Sequence, residues 1–178
     1  YKQAIKLKPN YPEAFNNLGN SLKAKGNLDS AINSYQQAIK LKPNYPDAFL
    51  NLGVSLKEKG DLNSAINSYQ EALRLKPNYP SAYKNLSLVE LLSGNYTEGW
   101  EHHQWRWKTK DAKQPHAIPK SKQWQGETLA KGDPLLVVSE QGLGDTIQFM
   151  RYLPYLQQQG VDILFSAQTK LHNLIKAS

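Results

Sequence analysis

Nearly the same phrase stands twice in succession in this chain, from Pro12 to Tyr45 and again from Pro46 to Tyr79. The tetrapeptide Pro-Asn-Tyr-Pro punctuates it at Pro9–Pro12, Pro43–Pro46 and Pro77–Pro80. A fixed period of about 34 residues points to a stacked array of two-helix units, each burying its apolar face on its neighbours. No other feature of the sequence limits the fold as strongly.

Within one unit the first helix is expected from about Pro12 to Lys25. Proline in the first helical turn loses no hydrogen bond and presets φ. Gly26-Asn27 breaks that helix, and the second is expected from about Leu28 to Leu41, stopping before Pro43. Phe15, Leu18, Leu22, Leu28, Ile32, Tyr35, Ala38 and Ile39 recur at helical spacing and form the expected seam. Small residues, Gly19 and Ala31, let the two helices approach. Phe15, Leu18, Gly19, Leu22, Ala31, Tyr35 and Pro43 return as Phe49, Leu52, Gly53, Leu56, Ala65, Tyr69 and Pro77. These seven positions resemble the tetratricopeptide repeat family. The resemblance implies a mainly α fold, a superhelix of helical hairpins that takes a peptide or protein in its concave groove.

The period organises the chain. Tyr1, Ala4 and Pro9 stand one period before Tyr35, Ala38 and Pro43. Residues 1–11 therefore read as the second half of a preceding unit, and the sequence as a piece of a longer protein. Residues 12–45 and 46–79 are full units, and 80–108 is a degenerate, capping one. Tyr83 and Leu86 keep their places there, but Ser87 replaces the glycine, Glu90 stands where Leu22 and Leu56 stood, and Gly99 replaces Ala31 and Ala65. Leu88, Val89, Leu91 and Leu92 make its first helix apolar on both sides. Gly94 to Trp107 should be its second helix, ending against a different domain, with Trp100, Trp105 and Trp107 as packing residues.

A second register concerns binding. Asn17, Asn51 and Asn85 recur at the same period, one position before the seam leucines. An asparagine amide offers a donor and an acceptor, so a row of them can grip the backbone of an extended peptide whatever its side chains. The row resembles the asparagine ladder in the repeat arm of O-linked N-acetylglucosamine transferases. The alternative is that asparagine is simply copied with the repeat, as Asn16, Asn20 and Asn33 show how common it is here. Lys23 and Lys57 recur nearby and make the groove partly basic.

From Thr109 to Asp133 the periodicity stops, and Pro115, Pro119, Gly126 and Gly132 mark a linker. Residues 134–178 change type. Leu135–Ser139 reads as a buried strand and Gly142–Gly144 as a tight turn. Asp145–Gln159 reads as an amphipathic helix bent at Pro154, Val161–Ser166 as a second strand, and Gln168–Ala177 as the start of another helix. This is the opening of a parallel, Rossmann-like α/β domain, incomplete at two strands. Glu140-Gln141-Gly142-Leu143-Gly144-Asp145-Thr146, after Trp124-Gln-Gly-Glu-Thr-Leu and the strand, resembles the N-terminal half of heptosyltransferase-type, two-Rossmann glycosyltransferases, as fused to such repeats in bacterial proteins. The resemblance implies Asp145 as the candidate base and Gly142, Leu143, Gly144 and Thr146 as a loop for phosphate or acceptor. A carboxylate there also suits a helix cap, and both roles stay open. The donor-binding half is absent, so turnover is expected of a parent protein and not of these residues.

The net charge is +7, and +5 of it lies between Trp105 and Lys122, where six basic residues face Asp111 alone. That stretch reads as a solvated linker, and nucleic-acid binding is not expected. No Cys is present, so thiol chemistry is excluded. His102 and His103, adjacent on a helix, point about 100° apart and do not chelate together, so no metal and no cofactor are expected. No apolar run approaches the ~18 residues of a membrane helix. The expected compartment is the cytoplasm, and self-association through exposed repeat ends or open strand edges is expected.

Overall fold

The computed structural model describes residues 1–110, 120–122, 124, 126–140 and 142–176. Asp111, Pro115, Pro119, Gln125, Gln141 and Ala177, named above, lie outside the described residues. The chain divides into two compact units, Tyr1–Ala112 and Lys113–Ser178.

The first unit is a run of helices: α1 (Lys2–Leu7), α2 (Pro12–Ala24), α3 (Leu28–Leu41), α4 (Pro46–Lys59), α5 (Leu62–Leu75), α6 (Pro80–Leu92) and α7 (Tyr96–His103), the last continuing as a 3-10 helix over Gln104–Lys108. Helix α2 packs on α3, α4 on α5 and α6 on α7, while α3 meets α4 and α5 meets α6. Pro12, Pro46 and Pro80 each open a helix, where the missing N–H would be unbonded anyway. Each hairpin turns at a glycine in the left-handed region, Gly26, Gly60 and Gly94, with φ of 78°, 91° and 82°. A side chain is disfavoured at such φ, so these turns repeat with the same period as the seam.

The seam closes by ring-on-glycine packing. A Cβ added to Gly19 would lie 2.5 Å from the Tyr35 ring, and one added to Gly53 would lie 2.6 Å from Tyr69. Both rings are wholly buried. Ile32 and Ala38 are buried with them, whereas Phe15, Leu18, Leu22, Leu28 and Ile39 are only partly so. The third pair solves the same contact with polar groups. Ser87 and His103 take the glycine and tyrosine places, with Ser87 Oγ 3.3 Å from His103 Nδ1. Glu90, buried where a leucine stood, lies 2.8 Å from His102 Nδ1. The helix is apolar on both sides as expected, and the excess faces outward: Leu88 and Leu92 are exposed.

In the second unit β1 (Pro134–Val138) and β2 (Asp162–Ser166) pair in parallel, Pro134 opposite Asp162 and Val138 opposite Ser166. Between them run α8 (Leu143–Met150) and α9 (Leu153–Gln158). The single bent helix expected over 145–159 is therefore corrected to two. The break falls at Arg151–Tyr152, before Pro154, and Pro154 sits in the first turn of α9. Proline there needs no N–H partner, so a fresh helix start is cheaper than a kink. A 3-10 turn (Thr169–Leu171) and α10 (His172–Lys176) follow. Leu136 and Leu164 face each other in register and both are exposed, although parallel sheets ordinarily have both faces covered.

Candidate functional site

The repeat row is built by α2, α4 and α6, which carry Asn17, Asn51 and Asn85. All three side chains are half-buried. Their amides are not equivalent. Asn51 Nδ2 donates to Asn16 Oδ1 on the neighbouring helix at 3.0 Å. Asn85 Nδ2 donates to the Ser81 carbonyl of its own helix at 2.8 Å. The difference comes from one residue: Leu50 stands where Asn16 does in the preceding repeat, so Asn85 has no amide to reach across to. Asn51 and Asn85 each still hold a second N–H and a carbonyl oxygen outside those two bonds.

Asn16 is not a candidate on sequence, yet it is buried and orients Asn51. Its only sequence signal is its spacing to Asn51, one position more than the period. Asn20 is likewise structural, since its Oδ1 accepts the Tyr35 hydroxyl at 2.8 Å. Lys23 Nζ lies 4.0 Å from Glu58 on α4, so its charge is partly matched within the array. Lys57 is half-buried on the same helix as Asn51.

The second candidate lies at the carboxyl end of β1. Gly142 precedes α8, and Asp145 Oδ2 accepts the Gly142 N–H at 3.2 Å. That is a helix-capping contact, made by an exposed carboxylate. Thr146 is buried, its hydroxyl within bonding distance of the Gly142 carbonyl (3.1 Å) and of Gln168 Oε1 (3.0 Å). Ser139 Oγ donates to the same Gln168 oxygen at 2.9 Å. Gln168, unremarked in the sequence, thus ties the end of β1 to α8. Leu143 and Gly144 are exposed, and a Cβ on Gly144 would meet nothing within 4 Å. A cleft of about 210 Å³ adjoins this turn, lined by Asp145 and Thr146 together with Phe149, Met150 and Phe165. That is below the roughly 300–1,000 Å³ of a site that engulfs a small ligand. Among the described residues no cluster of three or more His, Cys, Asp or Glu side chains is placed to hold a metal, and no helix is long and apolar enough to cross a membrane.

The TPR repeat family matches residues 1–26, 19–60 and 55–94, more than half of the chain. The chain belongs to the TPR repeat family. Two crystal structures of MamA are similar to this TPR protein. One has 27% identity over 62% of this chain and 64% of that chain, with a TM-score of 0.57. The other has 26% identity over 60% of this chain and 58% of that one, with a TM-score of 0.56. The TPR protein thus spans less than two thirds of either structure. No curated protein sequence matches it. The TPR helices are a protein-interaction module.

Proposed function

We propose that the face formed by α2, α4 and α6 binds an extended segment of a partner protein through the amides of Asn17, Asn51 and Asn85. The observation that carries this reading is the Asn51–Asn16 bond, which fixes one rung while leaving its carbonyl oxygen for a ligand. Lys23 and Lys57 add positive charge beside the rungs, and the cytoplasm is the compartment we assign. The test is a titration of the chain with extended peptides, repeated on a variant carrying Asn17→Ala, Asn51→Ala and Asn85→Ala. An at least tenfold loss of affinity is expected, and equal affinities would remove the ladder.

A second reading concerns residues 134–178, proposed as the start of the N-terminal domain of a nucleotide-sugar-dependent glycosyltransferase whose TPR arm selects the acceptor. The parallel β1–β2 pair, Gly142 capping α8 in place of the expected Gly142–Gly144 turn, and Asp145 beside a cleft at the strand's carboxyl end support it, since ligands bind at that end of such sheets. In this reading Asp145 takes the acceptor proton, and Gly142, Leu143, Gly144 and Thr146, at the cap and first turn of α8, receive an anionic or acceptor group. The domain limits 109–133 and 134–178 belong to the same proposal. Donor-sugar hydrolysis by the parent protein, abolished by Asp145→Asn with the fold retained, tests it. Activity undiminished in that variant contradicts it. The open strand edges also support self-association of the chain, which sedimentation equilibrium reads directly.

A further inference from the structure

The second helix of each repeat presents an apolar stripe that the next repeat covers. In the first, Ile32 and Ile39 share one core cluster with Leu52 and Leu56 of α4. In the second, Leu62, Ile66 and Leu73 share one with Leu86 and Val89 of α6. One period further on, the stripe of the third repeat is Tyr96, Trp100 and Trp107. The register is secured by the other members of the same helix, because His103 meets Ser87 as Tyr35 meets Gly19 and Tyr69 meets Gly53. The outcome differs at two of the three places: Ile32 is 8% exposed, whereas Trp100 is 60% and Tyr96 64% exposed, and Trp107 is half-buried.

A repeat that ends an array in water needs a polar outer face. This one enlarges the apolar residues of its predecessors to aromatics, and aromatic side chains concentrate at protein interfaces. Leu92 adds a 70% exposed side chain at the adjoining end of α6. We infer that the Tyr96–Trp100 face of α7 is a second binding surface, distinct from the asparagine row, and that its occupant is an amphipathic helix of a partner protein. The two covered stripes define that helix. It lies as α4 and α6 lie on their predecessors, with apolar residues spaced as Leu52 and Leu56 are, four apart and one turn from each other. The binding mode is helix-in-groove, read through a few spaced anchors. It continues the interface that α3–α4 and α5–α6 already make.

The probe is a helix-locked peptide of residues 46–59, the sequence of α4, added to the whole chain. The readout is the Trp100 indole NMR resonance, assigned by its loss in Trp100→Phe. Saturable movement of that resonance is expected. Tyr96→Ala with Trp100→Ala should weaken binding at least tenfold, and a peptide carrying Leu52→Glu and Leu56→Glu should not bind. Because both side chains are exposed, the variant should unfold at nearly the temperature of the parent chain. Single Trp100→Arg gives a second variant with the same expected loss. Absence of saturable binding, or binding indifferent to these substitutions, overturns the inference. So does a Trp100 indole already shielded from a soluble paramagnetic agent in the free chain. Shielding independent of concentration would mean that this chain covers its own face, and shielding that grows with concentration would mean that a second copy does.

Discussion

Tyr35 and Tyr69 occupy equivalent places one repeat apart, but among the described residues only the first has a partner for its hydroxyl. Tyr35 donates to Asn20 Oδ1 at 2.8 Å, while the buried Tyr69 hydroxyl has no hydrogen-bond partner among the described residues. Val54 stands where Asn20 does, and it packs against the Tyr69 cluster. An unmet buried hydroxyl costs about 1–3 kcal/mol, and a made bond is worth about 1 kcal/mol. Tyr35→Phe should therefore destabilise the array by about 1 kcal/mol, and Tyr69→Phe should be neutral or stabilising. In a double-mutant cycle by urea unfolding, Val54→Asn should couple favourably to the Tyr69 hydroxyl by about 1 kcal/mol. No coupling would mean that the hydroxyl finds water.

The same two rings give the array an alkaline limit. Desolvation pushes the Tyr35 hydroxyl up to about 12 from its ordinary 10, and burial raises Tyr69 as well. The unfolded chain releases these protons near pH 10, while the folded chain holds that of Tyr35 until about 12. Stability is then intact below pH 10 and falls between pH 10 and 12, because the unfolded state binds fewer protons there. Thermal unfolding across that window should show the fall, and Tyr35→Phe should make it shallower, the remainder coming from Tyr69. A flat profile in the parent chain contradicts the burial of these hydroxyls.

Glycine tolerance separates packing from turning. Gly19→Ala and Gly53→Ala drive a methyl into a wholly buried ring, and overpacking of this kind costs about 1–3 kcal/mol. Gly144→Ala meets nothing and lies within the first turn of α8, where alanine is the better helix former by up to about 1 kcal/mol. Denaturation midpoints of the three variants check the contrast.

Glu90 and His102 replace Leu56 and Ser68 of the preceding repeat. His102→Ala leaves a buried carboxylate without its 2.8 Å hydrogen-bond partner, which should destabilise by about 1–3 kcal/mol. The double variant Glu90→Leu with His102→Ser restores the residues of the earlier repeat and should recover that loss. Equal stability of the single and parent proteins would show the pair to be solvated.

The period makes the helix pairs legible, because Pro12, Pro46, Pro80 and the positive-φ glycines Gly26, Gly60 and Gly94 punctuate each pair in the sequence itself. The family follows from the seam for the same reason. What stays hidden depends on which residues face each other across helices. Asn16 meets Asn51 only because α2 and α4 lie side by side. The break between α8 and α9 escapes a reading by pattern because Pro154 can start a helix as well as kink one. Asp145 reads equally as a cap or a base, and its contact with Gly142 shows the cap without addressing proton transfer.

The central claim is that α2, α4 and α6 hold an extended chain by its backbone. Select linear peptides against the whole chain, then measure calorimetrically the affinity of the tightest for the parent chain and for the Asn17→Ala, Asn51→Ala, Asn85→Ala variant. The account predicts at least a tenfold loss in the variant, with the unfolding temperature kept within a few degrees, and a similar loss when backbone N–H groups of the peptide are methylated. Affinity unchanged by both the alanines and the methylation would contradict it.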